Sequence, residues 1–236
     1  MITKKTYEEI VILREAGAIL ATILDALEAE AQPGVSTKHL DDVAQELCQR
    51  YGVEPSLLGY HPSFAPAPYP AATCISVNDV VQHGIPSEDE ILEEGDVVDI
   101  DCTIGLKGFV VDAGRTIGVG EIDEAAKALL ATTKGALEAA IAVAKPGNHI
   151  GDISHAIQSY VEKRGMGPVA SLCGHGVGYA VHEDPQIPNV GRAGEGPRIE
   201  VGHVYAIEPI VNEGRGDVIF DDDGDGYRVY TEDGSR

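Results

Sequence analysis

The sequence has no tryptophan and only three phenylalanines, it has no C-x-x-C pair among its four cysteines (Cys48, Cys74, Cys102, Cys173), and its 17 basic residues face 39 acidic ones. Each shortage excludes something. Cysteines this far apart form neither a disulfide framework nor a zinc knuckle and read as reduced thiols. A formal charge of −22 is repelled by phosphate backbones and anionic membranes, which argues against nucleic acid and membrane partners. The apolar run near the N-terminus, Ile10 to Leu13, ends at Arg14, too short for a signal peptide or a spanning helix. The expectation is a cytoplasmic protein without an export signal. With 236 residues, 43% of them apolar, the chain can form one domain with a full core, taken as residues 1–236.

What the sequence does have is an internal repeat. Pro33-Gly34 through Pro55 aligns without gaps on Pro146-Gly147 through Pro168. Leu40 meets Ile153, Val43 meets Ala156, Gln45 meets Gln158 and Gly52 meets Gly165, which predicts a helix in each copy, entered through a Pro-Gly turn and closed by glycine. Amphipathic stretches, Tyr7 to Ala31 and Glu124 to Ala144, precede the two copies and predict a second helix in each half. A second echo links Leu92 through Asp101 with Ile199 through Glu208. Both segments read as strands opened by a glycine turn and ending in a carboxylate. The halves, roughly 7–112 and 124–220, predict an α+β fold with pseudo-two-fold symmetry. An antiparallel sheet is flanked by two helix pairs, and the two terminal acids converge on one central site.

Beyond Asp101, a strand, a glycine-containing turn and a second strand return the chain to Asp112. Two acids on neighbouring apolar strands are costly to bury as bare charges. A cation between them relieves the cost, and an ion pair with a nearby base such as Arg115 is the simpler alternative. Cys173 through Pro185 adds His175 and His182 among glycines. Their spacing of seven puts them on opposite faces of a regular strand, so a bend or bulge is needed if both serve one site. Asp101, Asp112, His175 and Glu208 together form an oxygen-rich set with one imidazole. Such a set suits Mn, Fe, Co or Zn, and two divalent ions better than one. Between two such ions a bridging water becomes hydroxide near neutral pH and can attack a carbonyl.

Val77 through Pro86 (V-N-D-V-V-Q-H-G-I-P), Asp101 through Arg115, Gly174-His175-Gly176-Val177-Gly178, and Ala206-Ile207-Glu208-Pro209 closely resemble the type I methionine aminopeptidases. The resemblance spans nearly the whole chain and implies the duplicated "pita-bread" fold with a dinuclear metal centre. It implies that Asp101 is a terminal ligand, that Asp112 is a bridge, and that His175 and Glu208 hold the second ion. It makes His83 the group meeting the scissile amide and His182 the group stabilising the tetrahedral oxyanion. Thr103, two residues after Asp101, resembles a hydroxyl that orients the Asp101 carboxylate. Tyr60, in Leu58-Gly59-Tyr60-His61, and Cys74 resemble the wall of the pocket for a methionine side chain. Val181 stands where the family often has an aromatic residue. The implied activity is removal of initiator methionine from the N-termini of nascent polypeptides, in transit at the ribosome, by metal-hydroxide attack. A small second residue is preferred, and the enzyme is expected to be a monomer.

Several alternatives stay open at this stage. The family pattern continues past Asp233-Gly234-Ser235 into a strand with Phe-Glu-His-Thr, so the expectation is that this C-terminal strand is absent, leaving a fragment or a site of four protein ligands. The same ligands serve X-Pro aminopeptidases and dipeptidases, which usually carry an extra N-terminal domain, and the fold also serves as a metal-free peptide-binding module. The loop from Pro62 to Ala72 is longer than the family's and rich in proline, either a stiff lid or a passive surface loop. Asp221 through Glu232 matches a calcium-loop spacing, but its flanks read as strands and Arg228 stands where an apolar residue belongs. A solvated hairpin turn is the better expectation.

Overall fold

The computed structural model describes residues 1–221 and 224–236. The helices among them are α1 (Tyr7–Glu30), α2 (Thr37–Tyr51), α3 (Glu124–Val143) and α4 (Ile150–Glu162). The first half contributes β1 (Glu54–Pro55), β2 (Thr73–Val77), β3 (Val80–Gln82), β4 (Val97–Leu106) and β5 (Phe109–Gly118). After α4 come β6 (Gly167–Pro168), β7 (Cys173–Gly176), β8 (Glu183–Pro188), β9 (Tyr205–Ala206), β10 (Val211–Asn212), β11 (Val218–Phe220) and β12 (Val229–Thr231).

The helix ends follow from their residues. Thr6 and Glu9 form a reciprocal capping box at the start of α1, satisfying backbone donors that a helix leaves open. Ser36 caps α2 through His39 N, and Gly52 closes it in the left-handed region at φ 67, where a Cβ would be strained. The two halves enter their second helix in the same way. Gly34 N donates to Leu92 O at 2.8 Å, and Gly147 N donates to Ile199 O at 2.9 Å. Single β-bridges join Ser36 to Ile91 and His149 to Arg198 at the same relative place. The two sequence echoes therefore touch each other within each half.

Leu20, Ile23, Leu24 and Leu27 recur at helical spacing along α1 and pack with Leu40, Ala44 and Cys48 of α2 against Val98, Ile100, Cys102 and Ile104 of β4. Burying each large side chain contributes roughly 1.5–3 kcal/mol, an upper figure because the unfolded chain is already partly compact. Ala136 and Ala140 of α3 with Ile150, Ile153, Ile157 and Val161 of α4 make the corresponding core over Ile187 and Ile199. The Ala-rich face of α3 lets the helices approach closely: a Cβ on Gly135 would lie 2.0 Å from the Tyr160 hydroxyl.

β4 lies between β5 on one edge and β1 and β2 on the other, all antiparallel. Lys107 and Gly108, at φ 52 and 82, make the two-residue hairpin turn whose twist suits such strands. In the second half β7 sits between β8 and β9, and Val110 N donates to Gly178 O at 2.7 Å, joining the two halves. The second strand echo is much shorter than the first: only Tyr205–Ala206 pairs as a strand, and Glu208 lies beyond it. Pro209 follows at once and has no N–H to extend a ladder.

β11 and β12 pair antiparallel, and β12 continues onto β3. The Asp221–Glu232 segment therefore joins strands rather than helices; two of its acids, at positions 222 and 223, lie outside the described residues. All four cysteines are free. No helix among the described residues is long and apolar enough to cross a membrane.

Candidate metal centre and substrate pocket

The β4–β5 register places Thr103 opposite Asp112 and Asp101 opposite Gly114. Residues directly across a ladder share a face. Asp99, Asp101, Thr103 and Asp112 thus project from one side, while the alternate residues Ile100, Cys102 and Ile104 are buried under the helices. Cys74 of β2 pairs with Asp101 and joins that polar face. Thr103 Oγ1 donates to Asp112 Oδ1 at 2.9 Å, so the carboxylate it orients is that of Asp112 across the ladder rather than the expected Asp101 on its own strand.

β7 brings the imidazole. Its glycines have no room for side chains, a Cβ on Gly174 falling 2.4 Å from Ala206 O and one on Gly176 2.2 Å from Asp184 O. His175 Nδ1 meets Gly176 O at 2.9 Å, which commits that nitrogen and leaves Nε2 for the site. Nε2 lies 3.4 Å from Asp112 Oδ2 and 3.2 Å from Glu208 Oε1. Ligand atoms of Asp112, His175 and Glu208 lie within 4.8 Å of one another. Asp101 is outside this trio, but the charges of Asp112 and Glu208 both act on its carboxyl. Gln82 Nε2 approaches Glu208 Oε2 at 3.5 Å.

The electrostatics of these groups show a site short of positive charge. Burial pushes the Asp101 carboxyl well up, and Asp112, Asp99 and Glu208 push it further. Burial likewise raises Glu208, against the lowering effect of His175. At Asp112 burial also acts upward, but hydrogen bonding and charge from His175 outweigh it and hold the carboxyl below its ordinary value. Burial alone would lower His175; Asp112 and Glu208 reverse this and push it up to about 10. A proton on His175 is thus the one positive charge that the described side chains supply among Asp99, Asp101, Asp112 and Glu208. Glu208 Oε1 is buried and faces His175 Nε2 at 3.2 Å without a well-aligned hydrogen bond among the described residues, a cost that an ion removes. Carboxylate oxygens converging with one imidazole nitrogen, which gives up its proton when it binds a metal, fit a divalent cation.

His182 reaches the same place through an irregularity. The β7–β8 register shifts between His175 and Gly176, the bulge that the odd spacing requires. The two rings come to 4.3 Å between centroids. Desolvation by the surrounding protein, then the positive charge on His175, push His182 down to about 4, so it is neutral at physiological pH although its edge meets solvent. The Tyr60 hydroxyl lies 2.8 Å from His182 Nδ1. With Tyr60 as donor, the tautomer is fixed: Nδ1 accepts and Nε2 carries the proton. His83 follows β3 in the left-handed region at φ 61. It is presented by Gly84, whose Cβ would fall 2.0 Å from Ile75 O. Burial lowers its pKa, with a backbone hydrogen bond at Tyr227 acting the other way.

Beside these groups lies an apolar cluster of Leu57, Ala65, Tyr69, Ala71, Cys74, Val181 and Tyr227, with Tyr60 packed against it. The 62–72 loop is firmly held. Tyr69 turns inward, its hydroxyl 2.8 Å from Gly84 O. Tyr227 packs edge-on to Tyr69 at 5.0 Å and donates to Ala67 O at 2.6 Å. At the loop's end, Asp41 Oδ1 accepts from Ala72 N, Thr73 N and Thr73 Oγ1. Sequence reasoning missed Tyr69, Tyr227, Gln82 and Asp99. The β4 alternation carried a signal for Asp99 alone; Tyr227 comes from the segment just before β12, far along the chain, with no local mark.

Residues 11–232 match the model of metallopeptidase family M24. A methionine aminopeptidase of Clostridium acetobutylicum is 42% identical over 235 residues, covering 100% of this chain and 91% of that protein. The crystal structure of a methionine aminopeptidase from Thermotoga maritima superposes with a TM-score of 0.94 at 39% identity, over 100% of this chain and 92% of that one. A prolidase from Pyrococcus furiosus gives 0.73 at 26% identity, and the match takes in only 57% of its chain. The chain belongs to metallopeptidase family M24, and within it to the type I methionine aminopeptidases.

Proposed function

We propose that this enzyme releases N-terminal methionine from nascent polypeptides, with Asp101, Asp112, His175 and Glu208 as ligands of two divalent ions drawn from Mn, Fe, Co or Zn. The observation that carries this reading is the aim of His175 Nε2 between Asp112 and Glu208, at 3.4 and 3.2 Å, with Glu208 Oε1 buried and lacking a well-aligned hydrogen bond among the described residues. When bound, divalent ions lower the pKa of a water so that it can attack an amide carbonyl near neutral pH.

The chain's own groups do the rest. Tyr69, Cys74, Val181 and Tyr227 receive the methionine side chain, whose thioether gains from aromatic contact. Tyr60 holds His182 so that its Nε2–H points toward charge developing on the carbonyl oxygen. A donor pre-set in this way costs no reorganisation when the charge appears. His83, across the site, hydrogen-bonds the scissile amide. We place the activity in the cytoplasm, on chains leaving the ribosome, in a monomer.

The reading is tested by loading the protein with Mn(II) or Co(II) and following methionine release from Met-Ala-Ser. His182→Ala should lower kcat by about 10²–10³ while leaving metal content unchanged, as expected for loss of an oxyanion donor. Unchanged kcat would remove His182 from this role.

A further inference from the structure

The turn that carries His182 is closed by a buried ion pair that none of the roles above uses. Lys5 Nζ donates to Glu183 Oε2 at 2.8 Å, with the two side chains only 1% and 9% exposed. Glu183 is the residue after His182, and its two oxygens face different partners. Oε1 accepts from Tyr179 N and, at 3.3 Å, from Ala180 N, tying the end of the turn to its beginning. Oε2 accepts from Lys5 and from the Thr3 hydroxyl.

Lys5 is itself fixed. Its N–H donates to Gly202 O at 2.7 Å, its Nζ stands 4.7 Å over the Tyr179 ring, and its Cε occupies the space where residue 178 would carry a Cβ, 2.3 Å away. Tyr179 in turn donates from its hydroxyl to Glu9 in the α1 capping box. The turn from Gly178 to Glu183 is therefore wrapped around a lysine ammonium. Its origin is pinned to β5 through Val110 N, two residues from Asp112.

Buried ion pairs are poor sources of stability, because removing both ions from water costs about as much as their attraction returns. What this pair does supply is a fixed position for the backbone of residue 182. We propose that Lys5 is a positioning residue for His182, acting through Glu183 and the 178–183 turn. The proposal rests on the oxyanion role of His182.

The experiment is a double-mutant cycle on the metal-loaded full chain, reading kcat and KM for Met-Ala-Ser and metal content well below the melting temperature. Lys5→Met should lower kcat by about 10–100-fold, the range for losing a group that orients an active residue, with metal stoichiometry unchanged. In a His182→Ala background the same change should have no further effect on kcat, because the group it positions is already gone. If Lys5→Met leaves an unpaired buried charge and fails to fold, the doubly neutral Lys5→Met/Glu183→Gln takes its place in the cycle. A wild-type kcat for Lys5→Met, or equal fold losses in both backgrounds, overturns the proposal and leaves the pair a structural clasp. A wild-type kcat for His182→Ala alone instead overturns the oxyanion role itself, and the positioning role with it.

Discussion

At the scale of single residues the account turns on His175. Its ring is held by Gly176 O on one side and aimed at Asp112 and Glu208 on the other. In metal-free protein its folded pKa of about 10 exceeds the ordinary 6.5, so the native state holds a proton that the unfolded state releases. This contribution is complete below about 6.5 and is lost as pH rises toward about 10. The melting temperature of protein stripped by chelation should therefore exceed that of His175→Asn by less and less across that window. Metal-loaded protein should show no such narrowing, because the ion replaces the proton. A gap that stays constant with pH would contradict the reading.

Tyr60→Phe tests the tautomer argument. Losing the hydroxyl 2.8 Å from Nδ1 should lower kcat roughly tenfold with little change in KM, since the bond serves an orientation needed in the transition state. Equal kcat for the two proteins would mean that packing alone orients His182.

At the scale of elements, much was legible in the sequence. The Pro-Gly entries and closing glycines located α2 and α4, and the period-two pattern of β4 separated Asp101 and Thr103 from Ile100, Cys102 and Ile104. What the sequence hid was carried by tertiary contacts. The residues that build the pocket, Tyr69 and Tyr227, meet across more than half the chain. The strand echo at 199–208 overstated the pairing, since only Tyr205–Ala206 joins the ladder.

The 62–72 loop was equally opaque, since its composition fits a lid as well as a surface loop. Its attachment to Asp41 settles how it is held. Asp41→Ala leaves two backbone N–H groups and a hydroxyl without their acceptor. The expected destabilisation is on the order of 3 kcal/mol, read by urea unfolding, with a rise in KM for methionyl peptides. A change confined to stability would separate the loop from substrate binding. In the second core, Ile153→Ala should cost about 2–5 kcal/mol without altering KM.

At the scale of the whole molecule, the two halves each bring acids to one centre from opposite sides, Asp101 and Asp112 on β4 and β5, Glu208 beyond β9 with His175 on β7. The site exists only when both halves fold together. The same acids add to a net charge of −22, whose self-repulsion opposes compaction. Raising ionic strength should raise the melting temperature of metal-free protein through screening, and by less once ions neutralise the centre. The most direct test of the central claim is elemental analysis of the purified chain coupled to methionine release from Met-Ala-Ser. About two divalent ions per chain, with release abolished by Asp112→Asn, is the predicted result; no stoichiometric metal and no release at saturating substrate would contradict it.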